Sequence, residues 1–131
     1  MQITEDNERR LRGVIARNGA TGKDKALLNE LERIVEGAEI VSGEIAPYII
    51  TMNSRFVLED LDTGITSEYT LVYPDEAHIE QGRISVLSPI GLALLGRQEL
   101  DTVERDVPAG VKRFQIKKLL HQPEAARAYS L

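Results

Sequence analysis

The residues able to do chemistry at close range fall in two short stretches. Tyr73-Pro74-Asp75-Glu76-Ala77-His78 sets two carboxylates and an imidazole behind a proline turn. A metal ion wants further ligands converging on such a set, and the plainer reading is an acidic loop. His78 and His121 are the two histidines, and the chain has no cysteine, so thiolate sites and disulfides are excluded. Ser54, Ser67, Ser85 and Ser88 lie in or beside strand-like segments, but there is no G-x-S-x-G elbow and no phosphate-binding glycine pattern. Neither catalytic residues nor a cofactor site is expected. The second stretch, Gly22-Lys23-Asp24-Lys25, puts one carboxylate between two lysines. Adjacent cations disfavour a divalent metal there, and Asp24 reads more simply as the N-cap of the following helix.

With no catalytic set in view, the most informative segment is Ile84–Gly96, ISVLSPIGLALLG. It begins as a strand and turns abruptly into a short apolar helix. Ser88 suits the N-cap, Pro89 the first helical position, and Gly96 the C-terminal cap. A stiff, partly apolar corner at a sheet edge can receive a partner protein, and it can equally be a structural bend.

The elements that must position these stretches follow from periodicity. One helix is expected over about Thr4–Arg17, with Leu11, Val14 and Ile15 on one face. A second is expected over about Asp24–Val41, where Leu27, Leu31, Ile34, Ala38 and Val41 repeat as a coiled-coil seam that Leu28 and Val35 widen. Asn18-Gly19-Ala20-Thr21-Gly22 breaks the pattern, so the helices form an antiparallel hairpin, the second about 27 Å long at about 1.5 Å per residue. After Gly43 the spacing turns strand-like. Strands are expected near Tyr48–Met52, Arg55–Asp60, Ser67–Tyr73, Arg83–Leu87, Thr102–Val107 and Arg113–Leu120, with turns at Asp62-Thr63-Gly64 and Pro108-Ala109-Gly110. The fold class is α+β: a hairpin over residues 1–45, then over 46–131 a small antiparallel sheet carrying one helix.

The 131 residues can bury one core, or one core with a small appendage. The longest apolar run, Ile90–Leu95, is too short to span a membrane, and a polar, acidic start argues against a signal peptide. A cytoplasmic protein is expected. A net charge of −5 argues against a surface built to grip nucleic acid. From Glu59 to Glu80 there are seven acids and no Lys or Arg, whereas basic residues gather toward both ends. These are ordinary solvated faces, or ends that meet something acidic while the middle repels it.

One family shares these features. The run from Ser54 to Gly96 resembles the C-terminal domain of the bacterial Gre transcription factors. The matching pieces include Asp62-Thr63-Gly64, Tyr69-Thr70-Leu71-Val72, Asp75-Glu76-Ala77, Ser88-Pro89-Ile90-Gly91 and Ala93-Leu94-Leu95-Gly96. Thr51-Met52-Asn53-Ser54-Arg55, Gln122-Pro123-Glu124-Ala125-Ala126 and the short hairpin resemble the Rnk branch of that superfamily. The resemblance implies an FKBP-like body that docks on RNA polymerase, at a coiled coil of the largest subunit on the secondary-channel rim. The docking corner then maps onto Ser88, Pro89 and Ile90, with Leu87 where Gre factors often carry an acidic or amide residue. Gre cleavage factors also have a longer coiled coil whose acidic tip helps hold a catalytic magnesium. Here the tip is Lys23, Asp24 and Lys25. The expectation is a regulator without cleavage activity that excludes Gre-type factors. A true cleavage factor and an FKBP-like prolyl isomerase are the rivals.

Overall fold

Helix α1 (Glu5–Gly19) begins where Thr4 accepts the Asn7 N–H at 3.2 Å. Glu5, Asp6 and Glu8 sit in its first turn and Arg17 in its last, each the sign that the helix dipole favours. The structure, a computed structural model, describes residues 1–19 and 24–128. Lys23 of the expected tip lies outside these. Helix α2 (Lys25–Glu36) packs antiparallel on α1 and buries Leu28, Leu31 and Val35, with Leu27 and Ile34 half-buried beside them.

Two expectations about α2 are corrected. Asp24 precedes it in the left-handed conformation (φ 54°, ψ 36°), and its side chain makes no capping bond. A side-chain cap needs extended backbone at that position. Here the Asp24 carbonyl takes the Leu28 N–H at 2.9 Å. The helix also stops short of Val41. The Gly37 N–H closes on the Arg33 carbonyl at 3.0 Å, and the chain leaves as strand β2 (Glu39–Val41). β2 pairs in parallel with β1 (Gln2–Thr4), Ile3 opposite Ile40. The helical spacing of Ala38 and Val41 was coincidental, because a distant strand claims that backbone.

Among the described residues, five further strands form one sheet: β3 (Arg55–Asp60), β4 (Thr66–Val72), β5 (Arg83–Ser85), β6 (Thr102–Val107) and β7 (Gly110–His121), in the order β5-β4-β3-β7-β6. Asp62-Thr63-Gly64 lies in the β3–β4 turn, where Asp60 Oδ1 accepts two backbone N–H groups and Gly64 has φ 77°. Pro108 and Ala109 join β6 to β7. The sheet is mixed, not antiparallel throughout. Two 3₁₀ turns, Pro74–Glu76 and Ile79–Gln81, carry the chain back so that β5 runs parallel to β4. Tyr48–Met52 is no strand either. Ile49 makes one isolated bridge to Gln98, and Asn53 (φ 66°) ends the extended run. Ile50 and Met52 are apolar because they are buried, not because they alternate in a ladder.

Helix α3 (Pro89–Leu94) lies against β6, and a helix not foreseen, α4 (Pro123–Ala128), follows β7. The result is an α+β fold. One apolar cluster joins Leu11, Val14, Leu31 and Val35 of the helices to Phe56, Leu58, Leu71, Leu94, Val103 and Ile116 of the sheet and α3. No described helix is long and apolar enough to cross a membrane.

Candidate partner-docking site

The β5–α3 corner is built from bonds spanning two or three residues. Ser85 Oγ accepts the Leu87 N–H at 3.0 Å. Ser88, with extended backbone, donates its hydroxyl to the Ser85 carbonyl at 2.7 Å and accepts the Gly91 N–H at 3.0 Å. Pro89 takes the first helical position, where its missing N–H leaves nothing unsatisfied. The expected cap is therefore present, and both functions of its hydroxyl are used internally. Ser88 shapes the corner, and the apolar surface left accessible there belongs to its neighbours.

Gly91 is fixed by contact. A Cβ there would strike the Ser85 carbonyl and lie 2.9 Å from Ser88 Oγ. Only glycine lets the first turn of α3 sit on the end of β5. Gly96 (φ 82°) ends the helix, as expected, with Leu95 in the cap position before it. Leu87, Ser88, Pro89 and Ile90 are all half-buried, and Leu87 and Ile90 also pack on the core. Part of their apolar surface is thus spent holding the corner in place.

At the start of α2, Asp24 and Lys25 are exposed. Between tip and body, Arg105 of β6 donates both terminal nitrogens to Glu30 of α2, at 2.6 and 2.7 Å. These bonds hold the Glu30 carboxyl below the usual carboxylate range and raise Arg105. His78 and His121 are both exposed. No group of three or more His, Asp or Glu among the described residues is placed to hold a metal. The inner face of the sheet opens a cleft of about 310 Å³ in which Leu58, Ile65, Tyr69 and Phe114 meet Asp60 and Lys112.

Sequence reasoning missed a buried polar junction where α1, the segment after residue 45, Tyr73 at the end of β4 and α4 meet. Glu124 is 2% exposed. One of its oxygens accepts Asn7 Nδ2 at 2.9 Å and the other accepts the Thr51 hydroxyl at 2.8 Å. Thr51 also meets the Ser54 hydroxyl at 3.0 Å, and Tyr73 donates to Asn7 Oδ1 at 3.2 Å. Burial pushes the Tyr73 phenol up to about 12, although Arg10 sits 4.1 Å from its ring centre. Gln122 caps α4 by accepting the Ala125 N–H, and donates to the carbonyls of Ala46 and Ile49 at 2.6 and 2.8 Å. The available signal was the pair of segments around Thr51 and Gln122, which together resemble the Rnk branch.

Comparisons with known proteins agree with the fold. A family model described as "Transcription elongation factor, GreA/GreB, C-term" matches residues 46–120. The chain is 38% identical over 108 residues to the regulator of nucleoside diphosphate kinase of Escherichia coli (strain K12), covering 81% of this chain and 76% of that protein. It is 32% identical over 101 residues to the transcription elongation factor GreA of Thermotoga petrophila, covering 77% of this chain and 65% of that one. A solved GreA/GreB factor from Nitrosomonas europaea superposes with a TM-score of 0.75 at 30% identity, covering 92% of this chain and 98% of that one. The chain belongs to the GreA/GreB family of transcription elongation factors.

Proposed function

We propose that this chain is a non-catalytic, cytoplasmic regulator of transcription that docks on RNA polymerase at the rim of the secondary channel. Residues 46–131 act as the docking body and contact the largest subunit's coiled coil through Leu87, Pro89 and Ile90 on the corner that Ser88 shapes. Residues 1–45 act as a short plug that excludes longer Gre-type factors and does not stimulate transcript cleavage. The observation that carries this reading is the pairing of a rigid Ser88-Pro89 corner with a poor cleavage tip. Helix α2 has 12 residues, about 18 Å at about 1.5 Å each. Its start offers the single carboxylate of Asp24 beside Lys25. Holding a catalytic magnesium takes several oxygens close together.

The test is competition with a labelled GreA for purified polymerase. The chain should displace GreA, and Pro89→Ala with Ile90→Asp should weaken it about thirtyfold, the loss of one apolar anchor worth about 2 kcal/mol. No binding by the unaltered chain, even at low salt, overturns the proposal. Asp24-dependent cleavage in stalled complexes would establish the rival reading as a cleavage factor.

A further inference from the structure

The buried junction ties parts of the chain that the family model does not cover to the part that it does. That model matches residues 46–120, whereas Asn7 precedes it and Gln122 and Glu124 follow it. A carboxylate withdrawn from water needs full hydrogen bonding to persist. Glu124 has it, from Asn7 of the hairpin and Thr51 of the body. Gln122 holds the Ala46 and Ile49 carbonyls, on the segment that links hairpin to body. Two side-chain anchors two residues apart at the start of α4 therefore grip both sides of the link and the link itself.

We infer that Gln122 and Glu124 form a C-terminal clasp that fixes the direction in which the hairpin leaves the body. The inference rests on the docking reading: a body held at the channel rim delivers a plug into the mouth only if the hairpin points one way. Gln122 and Glu124 are positioning residues in this scheme. They act through Asn7, Thr51 and the 46–49 backbone and touch no partner. The Glu30–Arg105 pair steadies α2 further out, and the shared apolar cluster holds both helices to the sheet, so loss of the clasp removes the polar restraint at the base of α1 and leaves the less directional apolar contacts to set its angle.

The chain has no cysteine, so paired spin labels can be placed on the full-length protein without background. Lys25→Cys with Lys118→Cys reports hairpin against body, and Asp75→Cys with Glu104→Cys reports the body alone. Glu124→Ala should broaden the first distance distribution and leave the second unchanged. Glu124→Gln should restore a narrow distribution, because its oxygen can still accept from Asn7 and its nitrogen can donate to Thr51. In competition with GreA, Glu124→Ala should lose about tenfold in potency, while direct binding of its body to polymerase changes less. If Glu124→Ala does not fold, Gln122→Ala, which removes the two bonds to the linking segment and the side-chain cap of α4, takes its place with the same expectation. A distribution as narrow as the unaltered protein's in the alanine variant, whatever its melting temperature, overturns the clasp. Failure of the unaltered chain to bind polymerase overturns the docking reading alone, since the distances decide the clasp by themselves.

Discussion

The corner at Leu87–Ile90 and the junction at Glu124 are both held by side-chain hydrogen bonds, and they differ in how much chain those bonds span. Ser88 reaches three residues back to Ser85 and three forward to Gly91. Glu124 reaches 117 residues to Asn7 and 73 to Thr51. A three-residue loop costs little entropy to close, so the corner forms wherever its own segment is ordered. The junction exists only when both ends of the chain have been brought to the body. The corner is thus a property of a segment and the junction a property of the assembled fold. Substitutions should separate them: corner variants should leave the rest of the molecule as it is, and junction variants should couple to one another across the chain.

The largest effect is expected at the corner. Gly91→Ala drives a methyl group into the Ser85 carbonyl, which is backbone and cannot swing aside. Urea unfolding should show a loss of about 3 kcal/mol, the upper end for overpacking a tight contact. A loss below about 0.5 kcal/mol would mean that α3 can slide off β5, and the corner would not be stiff. Next is Glu124→Ala, which leaves the buried donors of Asn7 and Thr51 without an acceptor and should cost about 2 kcal/mol. With Asn7→Ala it should be non-additive by about 1 kcal/mol in a double-mutant cycle, and with Ser88→Ala additive within about 0.5 kcal/mol. Additivity with Asn7 would dissolve the junction as a unit. Ser88→Ala alone should cost about 1 kcal/mol, the usual loss of an N-cap.

This contrast explains what could be read in advance. Strands β3 and β6, both hairpin turns and the Ser88 cap follow from residues adjacent in the chain, and they lie where alternation, Asp62-Thr63-Gly64 and Pro89 put them. Most of the misreadings trace to backbone outside the segment itself, whereas Asp24 fails as a cap because its own backbone is left-handed. The end of α2 depends on Gln2–Thr4 pairing with Glu39–Val41, and three residues of strand leave no pattern of their own. The parallel sense of β5 depends on the path of residues 73–82, not on the composition of Arg83–Ser85. Tyr48–Met52 carries strand-like residues because Ile50 and Met52 fill the core, while the N–H groups of Ile49, Ile50 and Thr51 go to the Ala46 carbonyl, the Arg97 carbonyl and the Ser54 hydroxyl in place of a ladder. The corner was visible as chemistry in the sequence. The junction was not, since nothing in Asn7, Thr51, Tyr73 or Glu124 taken singly marks four polar side chains meeting out of water.

The Glu30–Arg105 pair separates chain span from burial, which the corner and the junction vary together. Its partners are 75 residues apart, as distant as Thr51 and Glu124 in the junction, yet both side chains keep about a quarter of their surface exposed (28% and 24%). If span alone made an interaction costly to lose, this pair would match Glu124. If burial decides, it should be worth about 1 kcal/mol or less. The two outcomes differ in pH dependence as well. Arg105 holds Glu30 below its ordinary value of 4.5 in the folded chain. The stabilisation is therefore complete above the unfolded value and fades as pH falls through the lower folded value. Urea unfolding of the unaltered chain and of Arg105→Gln should differ by about 1 kcal/mol at neutral pH, and the difference should close as pH falls through the lowered folded value of Glu30. A gap that stays constant with pH would assign the contribution to the packing of the arginine stem on α2. A gap near 3 kcal/mol at neutral pH, the range for breaking a buried pair, would show that span outweighs exposure.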